Sequence, residues 1–285
     1  MTSVAVITLV SAAGSPGVST TALGLALSWP RPLVLVDADP TGGAAVLAGY
    51  LHGEVPPAGG VLELAMAQRA GGLADALPGA MVAVPDSQVR LLPGVRAHFQ
   101  ARHVRHLWGP LLGQLRALDG TGQDVLVDAG RLGLDGFAEP LLAGADLTLL
   151  VTRTDLPAIA AGRSWATTLR EEFLTAGGLE ALGSLLVGQG RPYGAGEVAA
   201  VLQIPVFGTT AWDPDSAQVF SHGRQPGRRF GSSKLSRSLR ATASALTSRL
   251  AGNREPVTGP PEPAGSRAGV GGLGSDTTEV QVRRA

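Results

Sequence analysis

Two short stretches carry residue types that could act on phosphate: GSPGVSTT from Gly14 to Thr21, and VLVDADPTGG from Val34 to Gly43. The first lies between a β-branched apolar run, Val4 to Val10, and an Ala/Leu-rich segment from Thr20 to Ser28. A glycine-rich turn between a strand and a helix aims backbone N–H groups and the positive helix end at an anion. The phosphate-loop pattern GxxxxGK[ST] aligns without gaps: Gly14 and Ser19 take the glycines, Thr20 the lysine and Thr21 the magnesium-ligating hydroxyl. Ser15, Pro16, Gly17 and Val18 fill the loop between. Three of these residues weaken the pattern. Thr20 lacks the cation that reaches the outer phosphates, Pro16 lacks an amide donor, and Ser19 carries a Cβ where backbone approaches phosphate. A plain Gly/Ser turn also accommodates the octapeptide.

In the second stretch, Asp37 and Asp39 stand on the loop after a strand, spaced to face one cleft. An Asx turn or helix cap ahead of Pro40 is the structural alternative. Asp128 closes another apolar strand in DVLVDAG, 124–130, as an acid at a ligand site or a solvated strand end. His98, His103 and His106, in HFQARHVRH, have no adjacent carboxylate to complete a metal site and read as a solvated helical face.

The elements that must position these residues follow from hydrophobic runs and their period. Strands are expected at 4–10, 33–36, 89–92, 124–127, 147–151, 185–187 and 204–208. Helices are expected at 20–28, 61–69, 97–118, 158–174, 194–202 and 236–250. Residues 41–60 read as loop with a short apolar segment. Alternation of apolar strands with helices predicts an α/β class: a doubly wound, mostly parallel sheet with helices on both faces. Ligands of such sheets bind beyond the carboxyl ends of the strands. The polar stretches at 14–21, 37–39, 128–131, 152–155 and 188–191 all follow strands.

Composition sets outer bounds. The chain has 285 residues, 44% of them hydrophobic but only 4% aromatic, so its core must rest on Ala, Val and Leu. Net charge is zero, which gives no global signal for nucleic acid or membrane. Without cysteine there is no disulfide or thiolate chemistry, and a cytoplasmic location is expected. The N-terminal apolar run lacks a basic flank and reads as a strand rather than a secretion signal. No apolar stretch reaches the ~20 residues that span a bilayer. From Gly252 onward Pro, Gly, Ser and Thr dominate, so the expected organisation is one domain, 1–251, and a disordered tail, 252–285.

In order and spacing, GSPGVSTT, DADPTG, LLPG (91–94), DVLVDAG and ADLTLLVTRTDLPAI (145–159) resemble the ParA/MinD family of P-loop ATPases, whose deviant Walker A motif is KGGxGKT. The likeness runs on through LLVGQGRPYGAGEVAAVLQIPVFG, 185–208, and covers about residues 3–250. It implies a P-loop NTPase fold with ATP and Mg²⁺ as cofactors. It also implies roles: Thr21 as metal ligand, Asp128 as the acid that holds the metal through water, Asp39 to position or activate the attacking water, and Asp37 beside it. Gln189 stands where members often read adenine with Asn. The family's signature lysine matches Ser15 and its Walker lysine matches Thr20; both are absent, and Lys234 is the only lysine in the chain. Arg131 and Arg153 follow strands and are candidate replacement cations, with surface arginines as the plainer reading. Losing two cations from a phosphoryl-transfer site weakens hydrolysis and binding of the cofactors.

The implied activity is nucleotide-dependent partitioning or positioning of DNA or a protein complex by a homodimer, with ATP hydrolysis in doubt. The alternative is a non-hydrolysing scaffold for pilus or secretion assembly, like the TadZ and CpaE relatives with altered phosphate loops. Between Asp215 and Glu255 there is no acidic residue, and Arg224, Arg228, Arg229, Lys234, Arg237, Arg240, Arg249 and Arg254 make the 222–254 segment basic. That segment suits a protein partner or non-specific DNA. Leu235, Leu239, Leu246 and Leu250 form an apolar stripe that reads as the last helix packed on the sheet; a peripheral membrane contact is disfavoured by the polar tail that follows.

Overall fold

The computed structural model describes residues 4–14, 16–53, 59–118 and 122–253. The expectations for Ser15, for Arg254 and for the tail from 254 onward lie outside the described residues.

A sheet forms from β1 (Val6–Ser11), β2 (Leu33–Asp37), β3 (Val82–Ala83), β4 (Val89–Leu92), β5 (Asp124–Arg131), β6 (Leu147–Arg153), β7 (Leu182–Val187) and β8 (Val206–Thr210). Their order across the sheet is β3-β4-β2-β5-β1-β6-β7-β8. Only β3 runs antiparallel, against β4; the other pairings are parallel. This is the doubly wound α/β architecture that the alternating pattern predicts. The central strands β1 and β5 are mostly apolar and buried because both faces are covered, their acids standing at the start of β5 and near its exit.

Strand alternation sends neighbouring side chains to opposite faces. Ile7, Leu9, Leu33, Leu35 and Leu126 enter one core layer; Val6, Val10, Val34, Val36, Val125 and Val127 enter the other. The first layer packs under α1 (Val18–Leu27), α8 (Pro214–His222) and α9 (Lys234–Gly252). The second packs under α2 (Gly60–Arg69), α3 (Leu73–Ala80), α4 (Trp108–Arg116), α5 (Glu139–Ala143), α6 (Leu156–Thr175) and α7 (Ala195–Leu202).

Several boundaries differ from the sequence reading. The single helix expected over 97–118 is two 3-10 turns, His98–His103 and Arg105–Leu107, followed by α4. Ala101, Val104 and Leu107 face inward at the three-residue spacing of that tighter helix. Its α-helical period is real only from Trp108 on. Residues Val46–Tyr50, expected in a loop, form a π-helical turn against α8. The short helices α3, α5 and α8 were not expected; Pro78 inside α3 and Pro140 and Pro214 in the first turns of α5 and α8 masked them. The last helix is longer than 236–250 and ends at Gly252. Its leucine stripe, Leu235, Leu239, Leu246 and Leu250, is buried in the core, so it presents no free apolar face to a membrane. Among the described residues no helix is long and apolar enough to cross a membrane.

Candidate functional site

β1 delivers the chain into the loop at 12–17, and α1 starts immediately after. Gly17 caps α1 with φ 97°, a left-handed conformation that a residue with a Cβ rarely adopts. The Thr21 N–H closes the helical ladder on the Gly17 carbonyl at 2.8 Å. The amides of Val18, Ser19 and Thr20 precede that ladder, and no side chain caps them. The first turn contains no acidic residue. A Cβ built on Gly14 or Gly17 would meet nothing within 4 Å, so open space lies in front of the loop. The free amides at the start of α1 could hold an anion.

β2 and β5 are neighbours, with Asp37 in register opposite Asp128. The Ala38 N–H donates to the Asp128 carbonyl at 2.8 Å, tying the two strand ends together. Asp37 Oδ1 accepts from the Asp39 amide at 3.3 Å, and Asp39 Oδ1 accepts from the Thr41 amide at 2.9 Å. Asp128 Oδ1 accepts from the Gly130 amide at 3.0 Å.

Burial pushes the Asp37 carboxyl up to about 8, with the charges of Asp128 and Asp39 adding to it against the amides of Asp39 and Gly94. Burial also pushes Asp128 up to about 6; the Asp39 charge adds, and the Ser19 hydroxyl and Gly130 amide pull back. An acid cluster that retains protons near neutrality is poised to exchange them for a divalent cation. Among the described residues no group of three or more His, Cys, Asp or Glu is arranged to hold a metal unaided. The cation that fits is one that takes its remaining ligands from phosphate and water, as Mg²⁺ does. Thr21 and Asp39 line the cleft and could offer such a cation a hydroxyl and a carboxylate, with Asp128 behind them.

A cleft of about 940 Å³ opens over the strand ends. Every described residue from Gly14 to Thr21 lines it, together with Asp39, Arg131 and Arg153. Asp37 and Asp128 are not part of this wall; Asp37 holds the Asp39 amide from behind it. Gln189 is exposed on the turn after β7 and is not part of the wall; Gly188 and Gly190 flank it with positive φ. That side of the cleft is formed by Trp212, after β8, with the Arg153 guanidinium 4.6 Å from its ring centroid.

Sequence reasoning missed Gly130, Trp212 and the face of α8. Gly130, at φ +66°, lies so close under Asp39 that an added Cβ would come 2.5 Å from the carboxyl carbon. The signal was present in VDAG but pointed only to the aspartate. Trp212 carried one clue, its place before an Asp-Pro turn in a chain poor in aromatics.

No family model matches the chain, and no curated protein does. Solved structures do. MinD of Pyrococcus horikoshii OT3, complexed with Mg-ADP, superposes with a TM-score of 0.65 at 22% identity, covering 88% of this chain and 98% of that one. The fold is that of the MinD and ParA ATPases. A ParA family ATPase from Chlorobium tepidum TLS gives a TM-score of 0.61 at 15% identity, covering 85% of this chain and 99% of that one. A chain of the MinC:MinD cell division complex of Aquifex aeolicus gives 0.61 at 14%, covering 86% and 96%. The MinD/ParA likeness thus spans nearly the whole of each solved chain, and at these identities it is a likeness of fold.

Proposed function

We propose that the protein is a MinD/ParA-like nucleotide-binding protein that positions or partitions DNA or a protein complex from the cytoplasm, with slow or absent ATP hydrolysis. The observation that carries this reading is one cleft that joins the uncapped amides of α1, the Thr21 hydroxyl and Asp39. Those amides hold the phosphates. Thr21 and Asp128 would hold Mg²⁺, which would neutralise phosphate charge. Asp39 orients the attacking water, and Asp37 fixes the Asp39 loop by accepting its amide. Arg131 and Arg153 reach the same cleft and supply part of the positive charge that Ser15 and Thr20 do not.

The neighbours' known complexes support the same picture by analogy: Mg-ADP on one MinD, MinC on another. The same reading includes a nucleotide-dependent homodimer. The exposed Arg224, Arg228 and Arg229 before α9, with Lys234, Arg237 and Arg240 on it, offer a face to DNA or an acidic protein.

The missing lysines favour a second reading, a non-hydrolysing scaffold for a pilus or secretion assembly. Calorimetric titration with Mg-ATP separates the two. Micromolar binding weakened in Asp39→Ala and Asp128→Ala supports the first, and phosphate release then measures turnover. No heat and no thermal shift at millimolar Mg-ATP refutes it and leaves the scaffold.

A further inference from the structure

Between β4 and α4 the two 3-10 turns raise a ridge on the surface. Ala101, Val104 and Leu107 bury its inner side. Arg96, Arg102 and Arg105 and the three histidines are exposed on its outer side. Phe99 stands among them 54% exposed, its ring edge-on to His98 at 5.9 Å. Arg69 of α2 joins the ridge, its Nε donating to His106 Nε2 at 3.3 Å. Arg105 pairs with Asp135. The guanidinium groups of Arg96 and Arg102 have no hydrogen-bond or ion-pair partner among the described residues. The ridge is held in shape from within, since Gln100 Oε1 accepts from the amides of Arg96 and Ala97 at 2.9 and 3.1 Å.

Its underside touches both loops of the candidate site. A Cβ on Gly42, in the loop after Asp39, would lie 2.6 Å from the Ala97 backbone. A Cβ on Gly136, in the loop after β5, would lie 2.6 Å from the Ala101 Cβ. Phe99 lies between Ala97 and Ala101 along the chain.

We propose that this ridge docks an acidic peptide segment of a partner protein, with Phe99 as the apolar anchor and Arg96 and Arg102 taking its carboxylates. Guanidinium forks suit carboxylates in pairs, and an exposed aromatic flanked by arginine is the composition of an interface hot spot. The exposed apolar surface is one ring, too little to insert into a lipid surface. The ridge is a short irregular segment broken by the Arg105–Asp135 pair, not a continuous cationic track for a nucleic-acid backbone. Docking tightens the loops that carry Asp39 and Gly130.

The test uses the full chain without nucleotide, so its outcome is independent of the phosphate-site reading. The probe is a fluorescein-labelled peptide of alternating Glu and Leu, followed by anisotropy at low salt. The wild type binds; Phe99→Ser and Arg102→Glu each weaken binding about tenfold or more. The control Arg163→Glu, on α6, leaves it unchanged, and melting curves confirm that each variant is folded. Hydrogen exchange slows in the 39–43 and 131–137 loops on saturation with the peptide. Absence of binding, equal binding by Arg102→Glu, or protection confined to the ridge overturns the proposal. So does preference of the ridge for a DNA duplex or for phosphatidylserine vesicles over the peptide.

Discussion

Replacing Asp37 by Asn changes how stability depends on pH, and the size of the effect follows from the site. The Asp37 carboxyl is pushed from 3.8 to about 8 in the folded chain, chiefly by burial and then by the charges of Asp128 and Asp39. The folded state therefore holds this proton more tightly than the unfolded chain does. Stability from that proton is complete below about pH 4 and is lost as pH rises through the folded value near 8. At about 1.4 kcal/mol per pH unit the ceiling on the loss is roughly 6 kcal/mol, and relaxation and water entry bring the expectation to roughly 2–4 kcal/mol. Asn keeps the oxygen that accepts the Asp39 amide and carries no charge to desolvate. Thermal melts from pH 5 to 9 in EDTA provide the assay. Near pH 8 the Asn variant should melt above wild type by about 5–10 °C, the gap closing toward pH 5. What slope remains in the variant should end near pH 6, where Asp128 releases its proton. Parallel curves for the two proteins would refute the buried-acid argument.

Three other perturbations probe different links. Thr20→Lys restores a cation at the start of α1 and should tighten Mg-ATP binding about tenfold by calorimetry, one charge-assisted hydrogen bond; unchanged affinity would place the phosphates elsewhere. Gly130→Ala meets both a positive φ and the Asp39 carboxyl, so urea melts should show a loss of about 1–3 kcal/mol. Leu246→Ala, at a position with no solvent exposure, should cost about 2–5 kcal/mol, whereas a helix free to lie on a membrane would lose almost nothing.

The regular parts of this protein were legible because their causes are local. Val4–Val10 is apolar but for the buried Thr8, and Val34–Val36 is apolar throughout, as a strand covered on both faces requires, and the alternation with helices dictates a parallel sheet. The turn at 14–17 was legible as a type for the same reason: a glycine-rich turn between strand and helix needs no distant partner. The irregular parts were not. The periodicity of 97–118 fits an α-helix, yet contacts of Ala97 and Ala101 with the loops after β2 and β5 hold its first half in 3-10 turns.

The sequence by itself determined the strand ends on which the acids stand, the absence of both lysines, and the class of fold. Only the tertiary structure decided that Asp39 lines the cleft while Asp37 does not, and that Gln189 is not part of its wall. The physical reason is that β2 and β5, far apart along the chain, are neighbours in the sheet. Their register sets Asp37 against Asp128, and the burial that follows from that pairing, not the residue types, governs the protons the site holds.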